Sequence, residues 1–305
     1  MKVAITGATG FIGSRIVAAL RARGDEVIAF TRDTSRAKLQ GVRLVEAQLE
    51  TAGPWQDALT GVDAIINLAG EPVAGKRWDA QQKQVLRDSR IESTHHIVEA
   101  IAKMETKPKV LINASGGDYY PYAIKTVGDF ADDEVTEADP AGDMFLAKLC
   151  QAWEAEAFAA ENYGVRVVAM RTGIVLGEHG GALAKMETPF KLFAGGRIGD
   201  GKQWMSWIHL VDAVDAYVCA LTDERYRGPI NLVTDSVRNA DLAKELGAAL
   251  HRPSWLPVPA FALKVAVGEL SETLLNGRRI VPAKLRELGF QWKHPDLAEA
   301  LRATR

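Results

Sequence analysis

Residues 3–13 read Val-Ala-Ile-Thr-Gly-Ala-Thr-Gly-Phe-Ile-Gly, an apolar run that passes directly into glycines at positions 7, 10 and 13. At that spacing each glycine has its own task. Gly7 permits a tight turn at a strand end, and Gly10 lets backbone N–H groups come close to a bound group. Gly13 lets the following helix pack close to a sheet. The helix start, near Phe11, presents free N–H donors and partial positive charge. Such a turn suits the pyrophosphate of a dinucleotide, so Gly7, Thr9, Gly10, Phe11, Ile12 and Gly13 are expected to cradle one.

The type of dinucleotide is decided about 20 residues further on, at the end of the next strand. An acid there would bond the adenosine ribose and repel a 2′-phosphate. The chain instead has Thr31-Arg32, with Arg36 nearby. A guanidinium meets a phosphate bidentately and a hydroxyl adds a donor, which points to NADP(H). Asp33 follows directly and is the one residue that could turn inward against that reading.

These residues need a scaffold, and the pattern around them supplies one. Strands are predicted at Val3–Thr6, Glu26–Thr31, Val42–Glu46, Ala64–Leu68, Val110–Ala114 and Arg166–Met170. Helical stretches are predicted at Phe11–Arg23, Pro54–Leu59, Asp79–Met104 and Met144–Asn162. Apolar strands alternating with helices make an α/β fold, a doubly wound parallel sheet with ligands at the carboxyl ends of its strands. From Thr172 the rhythm changes. Gly- and Trp-rich loops (Gly177–Gly181, Gly195–Trp207) separate helices near Ala182–Phe193 and Val211–Leu221, and an amphipathic tail, Pro295–Arg302, ends the chain. The expected division is a dinucleotide-binding domain over 1–171, with some later segments returning to it. A substrate-side, smaller C-terminal α/β lobe is expected over 172–305.

Composition narrows the partners. At 305 residues, 47% apolar and 25% charged, the chain has an ordinary globular balance. A formal charge of −2, with no Lys/Arg run, argues against a nucleic-acid surface. No stretch reaches the ~18 apolar residues of a membrane span. The apolar run at the start breaks at Gly7, too early for a secretory signal. Cys150 and Cys219 lack metal-ligand spacing and read as buried reduced thiols. The expectation is a cytoplasmic protein acting on a small molecule, with neither nucleic acid nor membrane as partner.

The sequence resembles the extended short-chain dehydrogenase/reductases of the NAD-dependent epimerase/dehydratase type. The resemblance rests on Thr6–Gly13, on Asn67-Leu68-Ala69-Gly70 and on Trp207–Asp212. More narrowly it is similar to the "epimerase family protein" subgroup, which carries its own small C-terminal domain. The matching segments are Asn67–Pro72, Arg77-Trp78, Asp88–Arg90, Phe145–Ala147, Trp153-Glu154, Arg171–Gly177, Gly201–His209 and Pro282–Leu285. The resemblance implies a Rossmann-like sheet. It also implies that Leu68, Ala69 and Gly70 line the nicotinamide-side ribose, that Arg90 lies near the phosphates, and that Val175 joins the cofactor set. Members often dimerise through helices corresponding to Asp79–Met104 and Met144–Asn162, which implies a possible homodimer.

The catalytic part of the resemblance is incomplete. Ser115 ends the fifth strand, where the superfamily places a serine that bonds the reacting oxygen. A tyrosine four residues before a lysine should follow, the lysine lowering the phenol pKa from ~10. No Tyr-x-x-x-Lys occurs anywhere in the chain. Where it should lie, Asp143-Met144-Phe145-Leu146-Ala147-Lys148-Leu149 offers Phe145 and Leu149 instead. Tyr120 or Tyr119, just after Ser115, leads the replacements, with Lys148 and Asp143 behind. Glycine also stands at Gly173, where nucleotide-sugar enzymes have asparagine; Trp78, Trp204, Met205 and Trp207 could instead build an apolar pocket. Two functions remain open: an oxidoreductase or epimerase on a small carbonyl or hydroxyl compound, and a catalytically silent NADP(H) redox sensor.

Overall fold

A computed structural model describes residues 1–122, 132–178 and 180–305, so residue 179 of the expected Gly177–Gly181 loop lies outside the described residues. In chain order the first elements are β1 (Lys2–Thr6), α1 (Phe11–Ala22), β2 (Glu26–Thr31), β3 (Arg43–Glu46), β4 (Ala64–Asn67), α2 (Ala80–Asp88), α3 (Ile91–Lys103) and β5 (Val110–Gly116). Then come β6 (Glu134–Val135), α4 (Phe145–Phe158), β7 (Arg166–Thr172), β8 (Ile174–Leu176), α5 (Gly181–Lys191), β9 (Trp204–His209), α6 (Leu210–Thr222) and β10 (Gly228–Leu232). The chain finishes with β11 (Asp235–Arg238), α7 (Asn239–Leu250), α8 (Ala260–Val267), α9 (Ser271–Leu275), β12 (Arg279–Ile280), α10 (Ala283–Glu287) and α11 (Leu297–Arg302).

Contacts divide the chain into two units. The first comprises 1–115, 149–170 and 214–230, and the second 116–148, 171–213 and 231–305. This differs from a break at 171 in that residues 116–148 and Arg171 group with the second unit.

The first unit is built on a seven-stranded sheet in the order β10-β7-β5-β4-β1-β2-β3. β1 pairs in parallel with both β2 and β4, and Ile5 lies opposite Ala29 and Ile66. Apolar side chains fill the strands because both faces are covered; Val3, Ala4, Ile5, Ile28, Ile65, Ile66, Leu111 and Ile112 are fully buried. Strand order reverses between β1 and β4, which opens a crevice at their carboxyl ends.

A polar network locks that crevice within the first unit. The Thr6 hydroxyl donates to Asn67 Oδ1 (2.6 Å), and its oxygen accepts from the Leu68 and Ala69 amides, both at 3.2 Å. Asn67 Nδ2 donates to Thr94 Oγ1 (2.8 Å) and to Asn113 Oδ1 (2.6 Å). Thr94 Oγ1 also accepts from the Trp153 indole at 3.0 Å. One asparagine thus ties β1, β4, β5, α3 and, through Thr94, α4 together in buried surroundings, where such bonds are strongest and their loss most costly.

Two expected helices differ in detail. Pro54–Leu59 is a 3₁₀ turn. The stretch 79–104 breaks at Ser89–Arg90 into α2 and α3. The Arg90 amide bonds Arg87 O rather than Leu86 O, and the Arg90 guanidinium takes the Leu86 carbonyl itself at 3.1 Å. A side chain thus substitutes for one rung of the helix ladder.

The second unit has a three-stranded sheet, β11-β9-β8, with β9 antiparallel to β11 and parallel to β8. Leu176, Leu183, Phe190, Met205, Trp207, Leu242, Leu246 and Leu301 form its core. β6 and β12 make a short parallel ribbon, Val135 opposite Ile280. The Glu137 carboxylate accepts from the amides of Asn231 (2.9 Å) and Lys284 (3.2 Å), pinning distant stretches of chain together. No helix among the described residues is long and apolar enough to cross a membrane.

Asn67→Ala should cost about 2–4 kcal/mol, because it strands the buried groups of Thr6, Thr94 and Asn113. Urea denaturation followed by circular dichroism measures this; a midpoint equal to that of the unmodified chain would refute the bracing role.

Candidate functional site

The crevice at the ends of β1 and β4 continues into a cleft of about 610 Å³, contained in the first unit. Gly7, Thr9 and Gly10 line it beside Leu68, Ala69 and Gly70, together with Thr31, Arg32, Asp33 and Arg36. Gly7 has φ +64°, and a Cβ there would lie 2.7 Å from Leu68 O, so only glycine lets these strand ends approach. Gly13 is equally constrained: a Cβ would lie 2.2 Å from Gly7 O. Gly10 is different. Its extended backbone suits any residue, and the nearest atom to a Cβ is Gly7 O at 3.1 Å. The fold thus demands glycine at Gly10, which lines the cleft, far less strictly than at Gly7 or Gly13.

The amides of Phe11, Ile12 and Gly13 begin α1, whose first internal bond runs from Ser14 N–H to Gly10 O. Their side chains do not line the cleft, so their contribution is the helix N-terminus itself, a place for negative charge. Asp33 is held away from such a role. Its carboxylate accepts from the Ser35 amide (2.9 Å) and hydroxyl (2.6 Å) and pairs with Arg36 at 3.1 Å. The hydrogen bonds from Ser35 hold its carboxyl below the usual aspartate range. A dinucleotide fits these residues: a glycine cradle open to the cleft, unpaired amides at a helix start, and two arginines on its wall.

Arg90 does not line the cleft. Its guanidinium bonds Leu86 O and Glu71 O (3.0 Å) and stacks over the Trp153 ring at 5.2 Å. Ser89 Oγ accepts from the Glu71 amide at 3.0 Å. Arg90 and Ser89 therefore brace the segment that carries Leu68–Gly70 into the cleft wall. Val175 lies in β8 of the second unit, buried and opposite Ile208.

Among the residues expected to do chemistry, Ser115 has the more suggestive surroundings. Its hydroxyl donates to Glu154 Oε1 at 2.6 Å, and both side chains are buried in the first unit. Glu154 was not singled out from sequence as a reacting group; the only signal was the Trp153-Glu154 pair among the subgroup's matching segments. Tyr120 and Tyr119 belong to the second unit. The Tyr120 phenol is 1% exposed, donates to Asn231 Oδ1 (2.6 Å) and accepts from Arg171 Nη1 (3.0 Å). Burial pushes its pKa up to about 12, the wrong direction for a proton donor near neutrality. Tyr119 lies under the Arg171 guanidinium, 3.4 Å from ring centre to Cζ. Both tyrosines are thus engaged in holding the second unit together.

The expected apolar pocket also resolves into packing. Trp207 and Met205 are core residues, and the Trp78 indole donates to Val73 O at 2.9 Å. Trp204 is covered by Arg238 at 3.8 Å. His209 stacks against His294 with ring centres 3.9 Å apart, and burial drives its pKa down to about 4. Asp212 accepts from the amides of Lys293 (2.7 Å) and His294 (3.1 Å), a structural role. Among the described residues no cluster of His, Cys, Asp and Glu could hold a metal ion.

Comparison with known proteins agrees with this geometry. Residues 258–304 match a domain of unknown function (DUF1731). An Arabidopsis thaliana epimerase family protein SDR39U1 homolog, chloroplastic, is 40% identical over 99% of this chain and 86% of its own. A Mycobacterium leprae epimerase family protein, ML0860, is 41% identical over 98% of this chain and 94% of its own. The crystal structure of human epimerase family protein SDR39U1 (isoform 2) with NADPH is 32% identical. It covers 100% of this chain and 99% of that one with a TM-score of 0.87. The NAD dependent epimerase/dehydratase model runs from residue 3 to residue 232, from the first strand through the last strand of the large sheet, and the chain belongs to that family.

Proposed function

We propose that the chain binds NADP(H) and acts as an oxidoreductase or epimerase on a small carbonyl or hydroxyl compound, with Ser115 and Glu154 moving the proton. The observation that carries this reading is the cleft, in which the glycine turn and Leu68–Gly70 share a lining with Thr31, Arg32 and Arg36. Arg32 and Arg36 are the groups suited to a 2′-phosphate, and Asp33 is occupied by Ser35. The related human structure holds NADPH, which supports the same choice.

A nicotinamide, when bound, exchanges a hydride with carbon. The chain must handle the accompanying proton without Tyr-x-x-x-Lys. Ser115 donates its own hydrogen to Glu154, so its oxygen lone pairs are free to accept the proton of a substrate hydroxyl. As that proton arrives, the serine proton passes to Glu154, and the reverse transfer serves carbonyl reduction. Phe145 and Leu149 in place of tyrosine and lysine favour a second reading, a redox sensor without turnover. A sensor must bind NADPH and NADP⁺ with different affinities, since equal affinity shifts no population.

Three measurements test this. Gly10→Val should melt like the unmodified chain yet bind NADPH at least about tenfold more weakly, a loss of about 1.4 kcal/mol; unchanged binding by fluorescence titration would remove the glycine turn from the site. Arg32→Ala should weaken NADPH about tenfold or more while changing NADH by less than about twofold. Equal losses would end the 2′-phosphate assignment. Finally, purified protein with NADPH or NADP⁺ is incubated with a bacterial small-molecule extract and followed by mass spectrometry. A protein-dependent product that Ser115→Ala and Glu154→Gln each suppress is expected; an unchanged profile with tight cofactor binding would favour the sensor.

A further inference from the structure

Among the described residues ten large apolar side chains are exposed, and six of them fall in two short stretches of the second unit: Leu192, Phe193, Trp255, Leu256, Phe261 and Val265. The two stretches are held together by their backbones. Leu256 N–H bonds Gly195 O (3.1 Å), Val258 N–H bonds Arg197 O (2.8 Å) and Gly199 N–H bonds Val258 O (2.9 Å). A Cβ at Gly196 would lie 2.1 Å from Leu256 O, so the approach is as close as backbone allows. The Arg252 guanidinium lies over the Phe193 ring at 4.6 Å.

The helix that follows, α8, has the sequence Ala-Phe-Ala-Leu-Lys-Val-Ala-Val and not one buried residue. Phe261 and Val265, four apart, share a face of it and are each more than 70% exposed. A helix so apolar and so uncovered is unusual in a chain whose other apolar helices bury a face, and it needs something to cover it.

Charge says what. Residues 188–199 and 250–267 contain Lys191, Arg197, Arg252 and Lys264 and no aspartate or glutamate. Lys191 pairs with Glu187 at 2.7 Å, while Arg197, Arg252 and Lys264 are exposed and have no carboxylate partner among the described residues. Exposed Trp, Phe, Leu and Val interleaved with unpaired Arg and Lys match a surface that is apolar inside and anionic at its rim. A second copy of this face would set those cations against themselves, with only Asp200 and Glu269, just beyond the two stretches, to answer them. We propose that this face docks on the anionic surface of a lipid bilayer. Phe261, Val265, Trp255 and Phe193 enter the acyl boundary while Arg197, Arg252 and Lys264 meet lipid phosphates. Such docking requires one apolar face rather than a spanning segment, so it departs from the expectation of no membrane partner without needing a transmembrane helix.

The test is cosedimentation of the full chain with vesicles of phosphatidylcholine alone or with about 30% phosphatidylglycerol. Binding to the anionic vesicles should be at least about tenfold tighter and should fall steeply as salt rises from about 0.05 to about 0.5 M. Phe261→Ser with Val265→Ser, and separately Arg252→Glu with Lys264→Glu, should each weaken it about tenfold with melting unchanged, since all four side chains are exposed. If the serine pair proves misfolded, the charge pair decides. Absence of vesicle binding, equal binding to neutral vesicles, or undiminished binding by the charge pair would overturn the proposal. Failure to bind vesicles, together with a dimer that the serine pair dissolves, would assign the face to a second copy instead.

Discussion

Everything at the cleft depends on two strand ends separating with no side chain between them. β1 and β4 diverge after Thr6 and Asn67, and Gly7 passes so close to Leu68 that even a methyl group would overlap the carbonyl. α1 then returns over the same turn, with Gly13 against Gly7 O. The close approach has a polar counterpart, since separating strands leave amides without ladder partners. Thr6 Oγ1 takes the Leu68 and Ala69 amides, and Asn67 orients Thr6. Close packing and satisfied polarity are two parts of one solution: the turn can be bare because the atoms beneath it are fixed.

What the sequence disclosed and what it hid follow from the range of the interactions. The glycine turn was legible because its determinants are local: a strand, three glycines and a helix within eleven residues. The large sheet was legible because strands buried on both faces are apolar at nearly every position. Tyr120 was not, because its environment is supplied by Asn231 and Arg171, which lie 111 and 51 residues away. Arg90, expected near the phosphates, spends its guanidinium on the break between α2 and α3, a contact with no sequence period. Glu154 was present in the matching segments only as a residue; its meeting with Ser115 needed β5 and α4 brought together.

The chemistry left by these placements is economical. A phenol in a family site works because a neighbouring cation lowers its pKa, whereas Tyr120 is buried and its pKa moves upward. On the proposed reading, Ser115 with the buried Glu154 carboxylate behind it handles protons differently: the hydroxyl passes a proton along without carrying charge itself. Neither Phe145 nor Leu149 is among the residues that line the cleft. On the proposed reading, binding and proton transfer fall to separable sets of residues.

Glu137 carries a consequence for how the protein comes into being. Its carboxylate accepts from Asn231 and from Lys284, 94 and 147 residues further along the chain. β6, beside it, waits for β12. During synthesis, then, the second unit has this acceptor 94 residues before one donor and 147 before the other. The first unit is in a similar position, since it takes in residues 214–230. Neither unit can close before these later segments are made, so each depends on gathering long loops. A nascent chain stalled before residue 280 would expose Val135 and the face that Ile280 covers, which makes β12 a condition for finishing the second unit.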